Sequence, residues 1–400
     1  MQQRHVLMAF SSASFFIVGI GIVLPAWVAF HAGGSSLVGL LLLTSSVAGF
    51  ALAPVAGHLV DHHGRIAVTA SAQLIRALGL SVLALVPQVP SALAPSLLIL
   101  SGVLGAFGYA LLAGAMSGLL QSLVPEKERM AFNMRLSFFN QAGIAIGTGA
   151  GGYAISRFGS TTTAILSACI AMVILPLLRH LASAAGANGA RRRTGLVAAS
   201  LEALTYLMTE PRSFAAAVTV GLAFAVIQIT NLLLPGFVIH QLKGDSKLFG
   251  MLEMAAAISG MAALGVAGLP AVARKMRSTT TAVLGGAGAS LILLSLAPDA
   301  PVAILLYCLG GMLWNLSRAA ANGHLLTVVD EALIGRVQAF TTLLTGAFGV
   351  LIFLLPTAIP GATEAHLYAA CGAAIMVAAA LVGLWTGRGR TRPARNSPLR

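Results

Sequence analysis

The feature that most constrains this chain is a succession of apolar runs, each long enough to cross a bilayer and separated from the next by a short polar turn. The runs fall at roughly 7–30, 36–60, 67–88, 93–122, 132–156 and 160–180, then at 213–239, 248–270, 280–297, 301–326, 337–359 and 366–386. A helix needs ~20 apolar residues to span the hydrocarbon layer, so these read as spans 1 to 12. In lipid the backbone must satisfy its own hydrogen bonds, which makes each run a helix. Composition agrees: 58% of the 400 residues are apolar, 9% are charged, and the mean hydropathy is +0.91. A soluble domain of that size cannot cover its surface with so little polarity. Arg4 before an apolar stretch resembles a signal peptide, but no small-residue cleavage site follows, so the stretch is read as span 1.

The net charge of +13 does not point to nucleic acid, because the basic residues sit in short clusters between apolar runs. With the N-terminus inside, the outer turns hold Arg157, Lys243 and Lys247. The inner segments hold Arg4, Arg65, Lys127, Arg129, Arg135, Arg179, Arg191 to Arg193, Arg212, Arg274, Lys275, Arg277 and Arg336, and the tail adds five more arginines. That imbalance places both termini in the cytoplasm, with the chain multi-pass in a bacterial inner membrane. Cys169, Cys308 and Cys371 lie far apart within apolar runs and read as small buried residues.

One long polar segment, 181–212, divides the spans six and six. Arg191 to Arg193 precede Leu196, Val197, Leu201, Leu204, Leu207 and Met208 at helical spacing, the pattern of an amphipathic helix on the inner membrane surface. The expected organisation is a six-helix half over 1–180, this linker, a second half over 213–386 and a basic tail over 387–400. The halves repeat: Gly57 and Arg65 flank the turn after span 2, as Gly268 and Arg274 do after span 8. Arg129-Met-Ala-Phe132 opens span 5 and Arg336-Val-Gln-Ala-Phe340 opens span 11. A parallel repeat shifted by about 210 residues matches a transporter architecture whose substrate site lies at the interface of the halves, near midplane.

Two motifs stand out. In the turn after span 2, Gly57-His-Leu-Val-Asp61-His-His-Gly64-Arg65 combines Gly57 for close helix approach, Gly64 for a tight turn and Asp61 as a lone carboxylate among basic residues. Asp61 is placed to pair with an arginine or a helix N-terminus. It is read either as a conformational latch or as part of a solvated turn. In span 5, Gly143-Ile-Ala-Ile-Gly147-Thr-Gly-Ala-Gly151-Gly152 presents a glycine surface, read either as a sealing or hinging face or as generic small-residue packing.

The turn resembles the signature of the major facilitator superfamily, Gly-x-x-x-Asp-Arg-x-Gly-Arg-Arg, at Gly57, Asp61, Gly64 and Arg65. It departs from it at His62 and Ile66, which implies a weaker latch, sensitive to pH at His62. The span 5 segment resembles the family's exporter motif, with Thr148 in place of proline, and implies export. The exporters' span 4 arginine is missing: Ser101-Gly-Val-Leu-Gly-Ala-Phe-Gly108 carries no charge. Val124-Pro-Glu-Lys-Glu-Arg129, Leu234-Pro235 and Gly335-Arg336-Val337 are similar to the branch of enterobactin and other siderophore exporters. The resemblance covers essentially the whole chain. It implies an all-α membrane protein of twelve transmembrane helices in two pseudo-symmetric six-helix halves.

Ionisable groups inside a span are costly and mark function by default. Glu253, near the outer end of span 8, is the carboxylate placed well inside a run. It is read either as the proton-coupling group or as a wet interfacial residue. Arg318 in span 10, with Trp314 and Asn315, holds an anionic substrate, pairs with a carboxylate, or snorkels to the inner surface. Arg76 in span 3 is the weaker third candidate: it is read either as functional or, with more weight because that helix is usually peripheral in the family, as snorkelling. Gln228 and Asn231 in span 7 and Asn140 and Gln141 in span 5 are candidates for substrate hydrogen bonds, or for bonds between helices. Pro235 is a candidate gate element.

No phosphate-cradling loop, catalytic set or metal constellation is evident, and no cofactor is called for. The expected function is alternating access by a monomer that exchanges protons for a small molecule such as a siderophore or drug. Gly57, Asp61, Gly64, Arg65, Gly147, Gly151 and Gly152 would control the switch. A nutrient importer of the same fold, or a non-transporting membrane receptor, are the rival readings.

Overall fold

The structure, a computed structural model, describes residues 2–181, 204–205, 207–208, 210–267, 270–329 and 331–388. No strand occurs among them. Eight helical stretches are long and apolar enough to cross a membrane, and two of these are far too long to cross it once. The helix Gln2–His62 has 61 residues and Glu126–Val173 has 48. At ~1.5 Å per residue the first would run about three times the thickness of the hydrocarbon layer. Each is broken by a glycine: Gly34 adopts φ 66°, ψ −165° and Gly159 adopts φ 81°, ψ 164°, backbone regions essentially closed to side-chain-bearing residues. The chain reverses at these breaks, the first of which also takes in the non-helical Gly33, so Gln2–His62 contains spans 1 and 2 and Glu126–Val173 contains spans 5 and 6.

The remaining spans are Arg65–Leu85 (3), Ala94–Leu123 (4), Pro211–His240 (7), Ser246–Ala267 (8), Pro270–Ser295 (9), Ala300–Val328 (10), Glu331–Phe353 (11) and Glu364–Arg388 (12). Twelve spans are thus present among the described residues, as the apolar runs predict. Span 9 begins about three turns earlier than its apolar run, so Arg274, Lys275 and Arg277 ride on a helix rather than in a turn. Of the expected amphipathic helix over 181–212 only a few residues are described. Arg191 to Arg193, Gly268 and the tail beyond Arg388 lie outside the described residues.

Because the spans alternate in direction, the breaks at Gly34 and Gly159 and the turns at 86–93, 241–245, 296–299 and 354–363 share one end of the bundle, here the far face. The N-terminus and Arg388 share the other, the terminal face. On the terminal face, arginines bind the C-terminal carbonyls of span 4. Arg65 Nη1 donates to Gly118 O (2.6 Å), Arg129 Nη2 to Gln121 O (2.8 Å) and Arg129 Nε to Val124 O (3.1 Å). Cations at the negative end of a helix dipole contribute ~0.3–1 kcal/mol each at exposed positions.

The glycine surface of span 5 serves two neighbours. Gly143, Gly147 and Gly151 lie against Ser12, Phe16 and Ile20 of span 1, within the first six spans. Gly152 meets Gly250 of span 8, so the last six spans touch the first backbone to backbone. Dispersion between closely apposed backbones, rather than the hydrophobic effect, drives such contacts in lipid. Further bridges between the two groups of spans cluster around this crossing. Trp27 stacks on Phe249 at 6.0 Å, Phe30 meets His240 edge-on at 5.4 Å, and Gly39 lies against the Phe353 carbonyl.

Two carboxylates complete the seal. Ser35 Oγ donates to Glu364 Oε1 (2.7 Å), while His240 Nδ1 lies 3.0 Å from Glu364 Oε2. Ser156 Oγ donates to Asp245 Oδ2 (2.8 Å), and Asp245 Oδ1 accepts from Leu248 N (3.1 Å), capping span 8. Partial burial pulls the Asp245 carboxyl upward, but the bonds from Ser156 and the backbone N–H groups outweigh it and hold the group below its ordinary value.

A Cβ on Gly250 would fall 2.6 Å from Thr148 O and 2.8 Å from Gly152 Cα. Gly250→Val is therefore expected to part the far face and lengthen the distance between spin labels at Arg157 and Lys243, with the closed population falling roughly tenfold. The ionised Asp245 favours closure, so this contribution is complete above the ordinary carboxylate range and fades as pH drops below about 4. Asp245→Ala is expected to give the acid-like distance distribution at neutral pH, with a lost cap worth ~1 kcal/mol.

Candidate functional site

Below the far-face seal, the two groups of spans enclose two adjoining cavities. The larger, about 290 Å³, lies among spans 1 to 4; the smaller, about 180 Å³, lies among spans 7 to 10 and the middle of span 5. Ile22, Asn231 and Glu253 border both. The polar candidates of spans 7 and 8 therefore stand at the junction, where one ligand would touch both groups of spans.

Glu253 sits two turns into span 8, and Tyr307 of span 10 donates its hydroxyl proton to Glu253 Oε1 (3.0 Å). A carboxylate at this depth replaces its lost hydration with a side-chain donor from the neighbouring helix. Trp314 and Asn315 line the smaller cavity. Asn315 donates to Gly311 O (2.9 Å), and its oxygen lies 3.4 Å from Arg318 Nη2.

Arg318 lies one turn closer to the terminal face and does not border either cavity. Its guanidinium sits 5.5 Å from the rings of both Phe224 and Trp314, and its Nε is buried without a partner among the described residues. Two aromatic faces take up part of its charge.

Arg76 departs from the snorkelling expectation. Its side chain is only 7% exposed and borders the larger cavity. Nη1 donates to Gln73 Oε1 (2.9 Å), Nη2 donates to Ser14 O (3.2 Å), and Gln73 Nε2 donates to Ser14 Oγ (2.6 Å). Gly108 of span 4 leaves room for the stem, since a Cβ there would fall 2.5 Å from Arg76 Cγ. Span 3 thus carries a cation across the charge-free stretch of span 4, where Ser101, Gly102, Gly105 and Ala106 line the same cavity. Tyr109 and Tyr307 also escaped the sequence reading. A tyrosine in an apolar run looks like core, and only three-dimensional packing brings these two to the cavities.

Other candidates lie elsewhere. Gln228 faces span 11, donating to Thr345 O (3.2 Å), with its own oxygen buried and unpaired among the described residues. Asn140 accepts from Ser11 Oγ (2.8 Å) in span 1, whereas its neighbour Gln141 borders the smaller cavity. Gly147 and Gly151 pack within the first six spans, and Gly152 reaches span 8. Gly57 is buried, Gly64 precedes span 3 in open space, and Arg65 binds span 4. The Asp61 side chain lies outside the described residues.

Solved transporters share this arrangement. A bacterial homologue of the iron transporter ferroportin, in an inward-facing state, superposes with TM-score 0.75 at 16% identity, over 98% of this chain and 99% of that one. The nucleoside transporter NupG gives 0.73 at 15%, over 96% and 99%. An auto-inhibited peptide transporter of the POT family gives 0.72 at 13%, over 100% and 99%. At these identities the likeness is one of fold. No curated protein sequence is significantly similar to the chain. The sequence profile of the Major Facilitator Superfamily matches residues 6–354, and with twelve spans enclosing a divided central cavity, the chain belongs to that superfamily.

Proposed function

We propose that this chain exports a small amphipathic or chelating molecule, such as a siderophore or a drug, in exchange for protons. It does so by alternating access, as a monomer in a bacterial inner membrane. The carrying observation is the position of Glu253: a carboxylate on the seam, bordering both cavities and bonded by Tyr307. A proton and a substrate that share one chamber compete there, and that competition links their movements.

With the arginine-rich terminal face in the cytoplasm, the far-face seal shuts the chamber on its outer side. Substrate then enters from the cytoplasm. Protonation of Glu253 from the outside would accompany the return. The Gly152–Gly250 crossing supports the reading of span 5 as an exporter's sealing helix, because it holds the outer gate shut. Asp245 and Glu364 would be the polar clasps that open as the far face parts.

The test uses purified protein in sealed, acid-interior vesicles, with a panel of siderophores and drugs added outside. Substrate-dependent proton efflux is expected, and Glu253→Gln should reduce its rate by at least about 100-fold. Tyr307→Phe should keep transport while shifting its pH dependence. Undiminished proton movement in Glu253→Gln would remove Glu253 from the coupling role.

A further inference from the structure

We propose that the chamber's ligand is an organic anion, a small molecule with one compact anionic group on an apolar body, and that Arg76 is the residue that receives the anionic group. The proposal rests on reading the chamber as the transport site and adds the substrate's charge to it.

The argument starts from the partners of Arg76. A guanidinium carries five N–H groups, and the bonds to Gln73 Oε1 and Ser14 O occupy two of them. Both acceptors are neutral. Among the described residues no carboxylate pairs with Arg76; its hydrogen bonds go to an amide oxygen and a backbone carbonyl. A buried charge at membrane depth without a counter-ion is costly. The protein nonetheless holds this one in place, through a passage in span 4 that is open because residue 108 is glycine.

The surroundings suit a ligand better than a structural cross-link. Tyr109, 45% exposed, borders the cavity beside Arg76. Ser101 lines the same wall. Ile17, Ile22, Leu41 and Leu80 supply apolar surface, and about 290 Å³ is near the lower end of small-molecule sites. A planar guanidinium with free donors pairs with a carboxylate through two parallel bonds, which an ammonium cannot reproduce. Glu253 faces the chamber from the opposite side, where Tyr307 holds it. A second carboxylate on the ligand would meet that side unfavourably, which favours a single negative charge near the Arg76 wall.

The test is binding to the full chain in lipid nanodiscs with three probes of one shape: 2-naphthoate, 2-naphthamide and 2-naphthylmethylamine. Naphthoate is expected to bind at least about tenfold more tightly than the amide. Arg76→Gln should bring naphthoate down to the amide's affinity, Arg76→Lys should restore part of the difference, and Tyr109→Phe should weaken naphthoate severalfold without affecting the amide. If Arg76→Gln does not fold, the wild-type ranking and Tyr109→Phe decide.

Preference for the amine overturns the proposal. So does a naphthoate preference that survives Arg76→Gln, or failure of naphthoate and of a panel of aliphatic monocarboxylates to bind. Anion-selective binding without proton movement in sealed vesicles would keep the anion site and remove the antiport reading. Proton-coupled export of cationic drugs that persists in Arg76→Gln would do the reverse.

Discussion

Two glycines, 152 and 250, let spans 5 and 8 approach until backbone meets backbone, and much of the molecule's shape follows from that approach. In lipid, apolar side chains gain little by leaving hydrocarbon for protein, so helices choose partners by how closely they can pack. This crossing draws the first six spans onto the last six near the far face. Trp27, Phe30, Ser35 and Ser156 are thereby brought within reach of Phe249, His240, Glu364 and Asp245. The same crossing sets the roof of the central chamber, with Glu253 just beneath it on the helix that carries Gly250. A seal and a titratable carboxylate on one rigid helix will move together.

The charged groups of the interior are few, and each has a distinct way of existing there. Glu253 accepts from a tyrosine, Arg318 lies between two aromatic rings, and Arg76 binds an amide oxygen and a carbonyl. Arg76 and Glu253 border the chamber, while Arg318 stays beside it. Burial alone thus does not tell which charge borders a cavity; the packing of the neighbouring helices does.

Much of the fold was legible in the sequence because hydropathy reports the one property that lipid tests. The runs located all twelve spans, yet missed the helical start of span 9, where the helix extends past its apolar core into a basic segment. The site was less legible. Glu253, Asn231, Trp314 and Asn315 border the cavities, but Gln228 and Asn140 turn to neighbouring helices. An amide in a span satisfies either role, and the sequence holds no sign of which face it occupies. Arg76 was ranked too low for a related reason: its helix reaches the chamber only because a glycine on the next helix opens the way.

That glycine gives the arrangement an evolutionary signature. An alanine at 108 would collide with the arginine stem, and a shorter residue at 76 would leave a void beside Gly108. Neither position can drift alone without loss of packing. Among related chains the pair should therefore change together, arginine at 76 accompanying glycine at 108. Lineages that handle a different chemistry should have released both positions at once.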